Sequence, residues 1–311
     1  MAARNVIITC AITGSIHTPS MSPFLPVTED EIVNESLAAV RAGAAVIHLH
    51  VREPQTGQPS ADPDLFERVV SRIKSQTDAV LSITTGGSAA MSVDERLKAP
   101  NRLAPELCSL NLGTMNFALH PMAAKERDWK HEWEKRFLLG TKSGFFKNTF
   151  EDMERVIREL GDRYGTKFEF EAYDTGHLYT LAHLVDIGLV KGKPFVQFVM
   201  GVLGGIGAET ESLFSMQQTA SRLFGRDIEW SALPAGHAQI PLCAVAAAMG
   251  GNLRVGLEDN LWLSAGVLAK SNADQVTKIC NIVAEMNLGI ATPSEARQRL
   301  GIGTDESHST R

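Results

Sequence analysis

The chain has 311 residues, 44% of them hydrophobic and 21% charged, and a formal net charge of −6. This negative balance argues against nucleic acid or a membrane surface as the main partner, and no apolar run is long enough for a transmembrane helix. Four widely spaced cysteines without a C-x-x-C motif are typical of a reducing, cytoplasmic compartment. The length suits either two average domains or one large α/β barrel.

Eight apolar, β-branched segments alternate with segments that carry helix signals. The predicted strands are 6–12, 45–52, 79–85, 107–113, 167–173, 194–201, 227–233 and 252–257. N-capping residues mark helix starts at Thr28, Asp62, Ser92, Thr149 and Thr292. The alternation predicts parallel βα units, and eight such units close into a (β/α)8 TIM barrel of the α/β class. The alternative is an open doubly wound sheet, but the absence of a G-x-G-x-x-G motif after the first strand argues against it.

We expect residues 1–311 to form a single (β/α)8 barrel domain. Residues 114 to about 148 are rich in charged and aromatic side chains, and they are predicted to form an irregular excursion over the barrel mouth or an oligomer contact. A helix from about Asn272 to Met286, and a short helix capped by Thr292, form a predicted C-terminal helical extension.

The second predicted strand ends in two histidines, His48 and His50. Side chains of a strand alternate between its faces, so both imidazoles point the same way while Ile47 and Leu49 face the apolar side. Two neutral imidazoles at a strand end form half of a transition-metal site. The alternative is one core histidine and one surface histidine.

The eighth predicted strand supplies a carboxylate for the same place. Alternation puts Arg254 and Glu258 on one face, and strands two and eight both flank strand one in a closed barrel, so His48, His50 and Glu258 can meet. Two imidazoles and one carboxylate form a catalytic zinc site, and iron(II) or manganese would accept the same ligands. The alternative for Glu258 is a salt bridge with Arg254 or Arg52.

Asp259 follows the predicted ligand Glu258 and lies near the guanidinium of Arg254. A carboxylate in this position can act as a general base, which the arginine would orient while tuning its pKa. The structural alternative for the pair is an ion pair at the end of the strand.

Other polar side chains lie on the same face of their strands. Ser82, Thr84 and Asn111 are candidate hydrogen-bond donors to a substrate carboxylate or a developing oxyanion, although each alone could be a packed polar residue. The fifth strand adds Glu169, Glu171 and Tyr173. Barrel interiors are mostly filled by Val, Ile and Leu, so this polar lining indicates a site.

Glycine pairs follow two of the predicted strands. Gly86 and Gly87 end the third strand, and Gly204 and Gly205 follow the sixth. Such turns can bring backbone N–H groups close to a phosphate or a thioester, which makes them candidate contacts of a cofactor. Glycine loops after barrel strands are also common without a ligand.

The motifs at residues 44–52 (AAVIHLHVR), 82–87 (SITTGG), 109–113 (SLNLG), 198–205 (FVMGVLGG) and 254–260 (RVGLEDN) carry a family resemblance. Together they resemble the β-keto acid cleavage enzymes, whose type member is 3-keto-5-aminohexanoate cleavage enzyme. The resemblance covers essentially the whole chain. It implies a zinc-dependent (β/α)8 barrel that is homo-oligomeric, as a tetramer or a dimer.

The implied reaction condenses a 3-keto acid with acetyl-CoA and gives a new acyl-CoA plus acetoacetate, through Claisen-type addition, thioester exchange and retro-Claisen cleavage. By resemblance, His48, His50 and Glu258 would hold one Zn²⁺ per chain. Asp259, supported by Arg254, would be the base. We expect it to remove a proton from the acetyl group of acetyl-CoA, whose carbanion then adds to the ketone.

The resemblance also assigns the keto acid contacts, which are Ser82, Asn111 and Glu171, with Glu169 as an equal alternative to Glu171. One departure concerns the first loop, residues 13–19, where Ile16 stands at about the position of a glutamate that contacts the substrate amine in the type member. An amine-bearing keto acid is therefore not expected, and the alternatives left open are a neutral, an apolar or an anionic side chain.

A metal-dependent, amidohydrolase-like hydrolase is the rival interpretation, because such barrels also carry H-x-H at a strand end. They place that pair on strand one and add histidines on strands five and six. Here strand five ends in Tyr173-Asp174 and strand six ends in Gly201.

Overall fold

The computed structural model describes residues 4–88, 91–225 and 228–303 and contains a closed barrel of eight parallel strands. The strands, numbered along the chain, are β1 (Ile8–Ala11), β2 (Val46–Leu49), β3 (Val51–Arg52), β4 (Pro59–Ser60), β5 (Val80–Ile83), β6 (Leu107–Asn111), β7 (Lys167–Ala172), β8 (Phe195–Met200), β9 (Glu229–Pro234), β10 (Asn252–Val255), β11 (Trp262–Ser264) and β12 (Val267–Leu268). The barrel order is β1-β10-β9-β8-β7-β6-β5-β2. This confirms the predicted (β/α)8 barrel.

Helices follow the barrel strands and cover the outside of the barrel. They are α1 (Glu29–Ala42), α2 (Pro63–Lys74), α3 (Val93–Leu103), α4 (Glu132–Gly140), α5 (Phe150–Val156), α6 (Thr175–Asp186), α7 (Thr210–Phe224), α8 (Gln239–Ala248), α9 (Asn272–Glu285) and α10 (Pro293–Leu300). Capping boxes at Thr28, Ser92, Thr149 and Thr292 satisfy the first backbone N–H groups of their helices. None of the described helices combines the length and the apolarity needed to span a bilayer.

Side chains that point into the barrel form layers, because every second residue of a strand faces inward. Ile7, Val46, Val80, Leu107 and Phe195 belong to one buried apolar cluster that also contacts α10. The inward residues two positions further along the strands are polar and buried, and they are Thr9, His48, Ser82, Ser109, Glu169, Gln197, Ser231 and Arg254. The predicted polar lining therefore lies above an apolar floor.

Two strand ends differ from the prediction. The second barrel strand stops at Leu49, and Val51–Arg52 pairs instead with Pro59–Ser60 in an antiparallel hairpin. His50 thus lies just beyond the end of β2.

The eighth barrel strand ends at Val255 rather than at residue 257. Gly256 has φ +140°, and a Cβ there would lie 2.0 Å from the carbonyl oxygen of Ala11, so only glycine fits this close approach. The chain then turns, and the amide of Glu258 donates to that same Ala11 oxygen at 3.2 Å. Strand alternation therefore does not extend to Glu258: its side chain lies beside Arg254 as predicted, but the turn and not the strand directs it there.

Three further boundaries differ. The helix that begins after the predicted cap Thr149 is α-helical only to Val156 and continues as a π-helix over Ile157–Asp162. The segment 114–148, expected to be irregular, contains a 3-10 turn at His120–Ala124 and helix α4. The seventh barrel strand begins at Glu229, and residue 227, where it was predicted to start, lies outside the described residues.

Candidate metal and acid–base site

Three side chains from the ends of the two strands that flank β1 converge at the carboxyl-terminal end of the barrel. His48 lies near the end of β2, His50 follows that strand, and Glu258 lies in the turn after β10. The Oε1 atom of Glu258 is 3.7 Å from Nε2 of His48 and 3.5 Å from Nε2 of His50. One ligand atom from each residue lies within 4.8 Å of the others, and all three residues are buried.

This set has the chemistry of a divalent transition-metal site. Burial is the main reason that the pKa of His48 lies well below its usual range and that the pKa of His50 falls to about 3, and the nearby Arg254 adds to both effects. Neutral imidazoles with free lone pairs are the form that binds metals. Ligand atoms about 2.0–2.2 Å from a tetrahedral zinc would be about 3.3–3.6 Å apart, close to the spacing found here.

Glu258 also shows an unused acceptor. Its Oε1 accepts a hydrogen bond from Nη2 of Arg254 at 2.7 Å, whereas its buried Oε2 has no hydrogen-bond partner among the described residues. The carboxylate therefore makes the salt bridge with Arg254 that was the alternative reading, and it keeps one oxygen free for an ion. These residues fit a bound dication.

Arg254 organises the acidic side of the site. Its guanidinium holds Asp259 through two hydrogen bonds, from Nε to Oδ2 at 2.9 Å and from Nη2 to Oδ1 at 3.1 Å. Nη1 reaches Glu171 at 3.4 Å and the side-chain oxygen of Gln197 at 3.2 Å. Burial raises the pKa of Asp259 to about 6, and Arg254 opposes that rise. The carboxylate is thus oriented and can accept a proton at neutral pH.

A second hydrogen-bonded chain comes from β6 and β7. The Tyr173 hydroxyl donates to Oε2 of Glu171 at 2.9 Å and accepts from Nδ2 of Asn111 at 2.9 Å. Burial raises the pKa of Glu171 to about 7, although Arg254 lowers it. Asn111 and Glu171 therefore lie together in the site, joined by a tyrosine.

Beneath Arg254 lies a polar layer that was only partly anticipated. The amide of Gln197 donates to Oε1 of Glu169 at 2.6 Å and contacts Oγ of Ser231 at 3.0 Å. Burial raises the pKa of Glu169 to about 8. Gln197 and Ser231 were missed as site residues, yet the alternation on strands six and seven would have placed both side chains inward.

Ser82 and Thr84 lie on the same strand end but have different surroundings. Ser82 is fully buried and does not line the cavity; its Oγ is 3.3 Å from Nδ1 of His48. Thr84 lines the cavity, and its Oγ1 accepts hydrogen bonds from the amides of Gly86 and Gly87 at 3.0 and 3.2 Å. Both glycines line the cavity, but Thr84 already occupies their N–H groups.

Gly204 and Gly205 do not line the cavity. A Cβ on Gly204 would lie 1.9 Å from the carbonyl oxygen of Asn116, and one on Gly205 would lie 2.7 Å from the carbonyl oxygen of Tyr173. Close backbone packing is thus sufficient to account for both glycines.

The first loop is fixed over the site by Arg52, which the sequence suggested only as a partner of Glu258. Its buried guanidinium donates to the hydroxyl and the carbonyl of Thr13 at 2.7 and 2.8 Å, and to the carbonyls of His17 and Gly57 at 2.8 and 2.9 Å. These bonds hold the segment that contains Ile16, which lines the cavity.

The cavity above the site is partly open to solvent. Its acidic and basic side chains all belong to the cluster around Arg254, namely Glu171, Arg254, Glu258 and Asp259. The apolar part of the wall is formed by Ile16, Phe117, Leu119, Phe137, Phe146, Val199, Val202, Leu233 and Ala235. A ligand would thus meet charge at one end and apolar surface around the rest.

The family model of the beta-keto acid cleavage enzymes matches residues 5–302. The chain belongs to this family. A 3,5-dioxohexanoate:acetyl-CoA acetone transferase from Paraburkholderia graminis is 53% identical to this family member over 297 residues, or 96% of each chain. A 3-dehydrocarnitine:acetyl-CoA trimethylamine transferase from Rhizobium meliloti is 33% identical over 317 residues, again 96% of each chain.

Among solved structures, the apo structure of ObcA is similar with a TM-score of 0.69 and 21% identity, over 91% of this chain and 66% of the ObcA chain. That likeness shows the shared barrel fold. As a β-keto acid cleavage enzyme, the chain is an acyl-transferring enzyme that cleaves a carbon–carbon bond.

Proposed function

We propose that the chain converts a 3-keto acid and acetyl-CoA into a new acyl-CoA and acetoacetate, with one Zn²⁺ held by His48, His50 and Glu258. The observation that carries the proposal is the convergence of this triad with an Arg254-bound Asp259 at one end of a single cavity. Acetyl-CoA as co-substrate is supported by the names of the relatives from Paraburkholderia and Rhizobium.

The charges of the buried cluster support an ion and an anionic substrate. The buried charged groups around the triad are two guanidinium groups, Arg52 and Arg254, and three carboxylates, Glu171, Glu258 and Asp259. Glu169, whose pKa is raised to about 8, is protonated at neutral pH. When the other five groups are ionised, their net charge is −1. A dication would make it +1, and the carboxylate of a keto acid would then neutralise it. Uncompensated buried charge is costly, so this balance favours binding both.

Atom balance decides which carbon must lose a proton. Acetoacetate contains the acetyl group joined to the carboxymethyl carbon of the keto acid, so the new bond forms between C2 of the keto acid and the thioester carbon. The C2–C3 bond of the keto acid breaks after coenzyme A has moved to C3. Our expectation that the acetyl group supplies the carbanion does not give this product, and we replace it with deprotonation at C2.

Each residue then has a defined task. Asp259 removes the C2 proton and returns it to acetoacetate, while Arg254 holds both carboxylate oxygens of Asp259 in place. Two amides already donate to the Thr84 hydroxyl oxygen, so its proton remains available to a substrate oxygen. A bound dication would supply Lewis acidity toward the ketone and carboxylate oxygens of the keto acid.

We also propose that the keto acid has an uncharged side chain. Among the described residues, no charged side chain outside the Arg254 cluster lines the cavity, so an ammonium group would have no carboxylate of its own to meet. In the 53% identical relative, the named substrate, 3,5-dioxohexanoate, also has an uncharged side chain.

The test uses 3,5-dioxohexanoate labelled with ¹³C at C2, together with zinc and unlabelled acetyl-CoA. We expect the label at C2 of acetoacetate and an acyl-CoA product that contains no label. Release of labelled acetate, or acetoacetate without label, would contradict the proposed bond changes. The hydrolase alternative is disfavoured because the histidine pair lies at the second barrel strand and not at the first.

A further inference from the structure

Ser82 has contacts that differ from those of a substrate-binding residue. It is fully buried beneath the cavity, at the position on β5 that pairs with His48 on β2. Its hydroxyl oxygen is 3.3 Å from Nδ1 of His48. The residues that line the cavity include Thr84, which directly follows β5, but not Ser82.

The contact between Ser82 and Nδ1 of His48 influences which imidazole nitrogen has a lone pair available for a metal. When Nδ1 carries the proton and donates it to the Ser82 oxygen, Nε2 keeps its lone pair. Nε2 is the nitrogen that lies 3.7 Å from Glu258. A hydrogen bond on the far side of a metal-ligating histidine fixes both the tautomer and the orientation of the ring.

We propose that Ser82 is a positioning residue that holds His48 ready for the metal, instead of contacting the keto acid as the family resemblance implies. This inference rests on the metal site of the proposed function. Ser82 on β5 then acts through His48, whereas Thr84, just after β5, lines the cavity.

The test measures zinc affinity of the full chain by competition with a chelating dye, in the wild type and in Ser82→Ala. Loss of such an outer hydrogen bond typically weakens metal binding by about 10–100-fold, and we expect a change of that size. The Co²⁺-loaded variant should also show a shifted visible absorption spectrum, because the geometry of one ligand has changed. Ser109→Ala is the matched control: Ser109 is buried on β6 and lines the cavity, and we expect unchanged zinc affinity.

The outcomes separate the two proposals. A wild type that binds zinc, with Ser82→Ala of equal affinity and a raised KM for the keto acid, would overturn the positioning role and restore a substrate contact. A wild type that binds no metal at the triad would overturn the proposed function together with this inference.

A second measurement needs no variant. Long-range ¹H–¹⁵N spectra of the zinc-loaded wild type report the tautomer of each histidine. We expect His48 to carry its proton on Nδ1, and a proton on Nε2 would contradict the proposal.

Discussion

At the residue scale, two adjacent carboxylates have different partners, and we propose different roles for them on that ground. Glu258 faces the two imidazoles and keeps one oxygen without a hydrogen-bond partner among the described residues, which suits a metal ligand. Asp259 has both oxygens held by Arg254. The sequence indicated this division, but it could not show that Gln197 and Glu171 also contact the same guanidinium.

Replacing Asp259 by Asn tests the base directly. The amide keeps the shape of the carboxylate but cannot accept the C2 proton, so we expect kcat to fall by about 10²–10⁴-fold. Zinc content should stay at one ion per chain, since the ligand set is intact. Steady-state kinetics and metal analysis check both statements, and an unchanged kcat would remove Asp259 from the base role.

Ile16→Glu tests what selects the substrate. Ile16 lines an apolar cavity wall. A glutamate there would pair with the ammonium group of an amine-bearing substrate, but it would be a buried carboxylate without a partner when the substrate side chain is uncharged. We expect kcat/KM to fall by about 10–100-fold for 3,5-dioxohexanoate and to rise for a 5-amino-3-keto acid. Ile16→Val is the control. Equal losses on both substrates would contradict a specificity role.

At the element scale, strand cores and helix caps were predictable because they depend on local patterns. The β-branched runs predicted the eight barrel strands, and the capping residues Thr28 and Ser92 predicted the starts of two helices. Strand ends were not predictable, because contacts with residues distant in sequence end the strands at Leu49 and Val255. The turn after β10 depends on an approach of Gly256 to Ala11, which no local pattern reports.

Gly256→Ala tests that approach. A Cβ would lie 2.0 Å from one backbone atom of Ala11 in a conformation with φ +140°, so we expect the free energy of unfolding to fall by more than about 3 kcal/mol. Gly250→Ala is the matched control, with φ +83° and no atom within 4 Å of the added Cβ; it should cost about 1 kcal/mol. Chemical denaturation measures both, and similar costs would contradict the close-approach account.

At the scale of the whole molecule, an apolar floor and a polar layer divide the barrel interior. The outward faces and helices could be predicted, but the sequence could not show how the inward polar groups pair. That the chain forms one domain over residues 1–311 and assembles as a homo-oligomer stays a prediction. Exposed apolar side chains such as Phe145, Phe150 and Leu203 are compatible with a contact between copies.

The polar layer predicts how stability depends on pH. Burial raises the pKa of Glu169 from 4.5 to about 8, so the folded chain holds this proton more tightly than the unfolded chain. The resulting stabilisation is complete below pH 4.5 and is lost as the pH rises towards 8. We expect the free energy of unfolding of the wild type to fall, relative to Glu169→Gln, by more than about 1 kcal/mol between pH 5 and 8.

The control for this pH series is Glu285→Gln, which changes an exposed carboxylate at the end of α9. Its stability should follow that of the wild type across the series. A constant difference between the wild type and Glu169→Gln at every pH would show that Glu169 does not hold a proton in the folded state.

We propose that His48, His50 and Glu258 together bind one metal ion. An anomalous difference map from crystals of the zinc-loaded protein, collected on both sides of the zinc edge, tests it most directly. We expect one peak per chain, about 2.0–2.2 Å from Nε2 of each histidine and from a carboxylate oxygen of Glu258. A map without a peak between these three side chains, or with zinc bound elsewhere, would contradict the account.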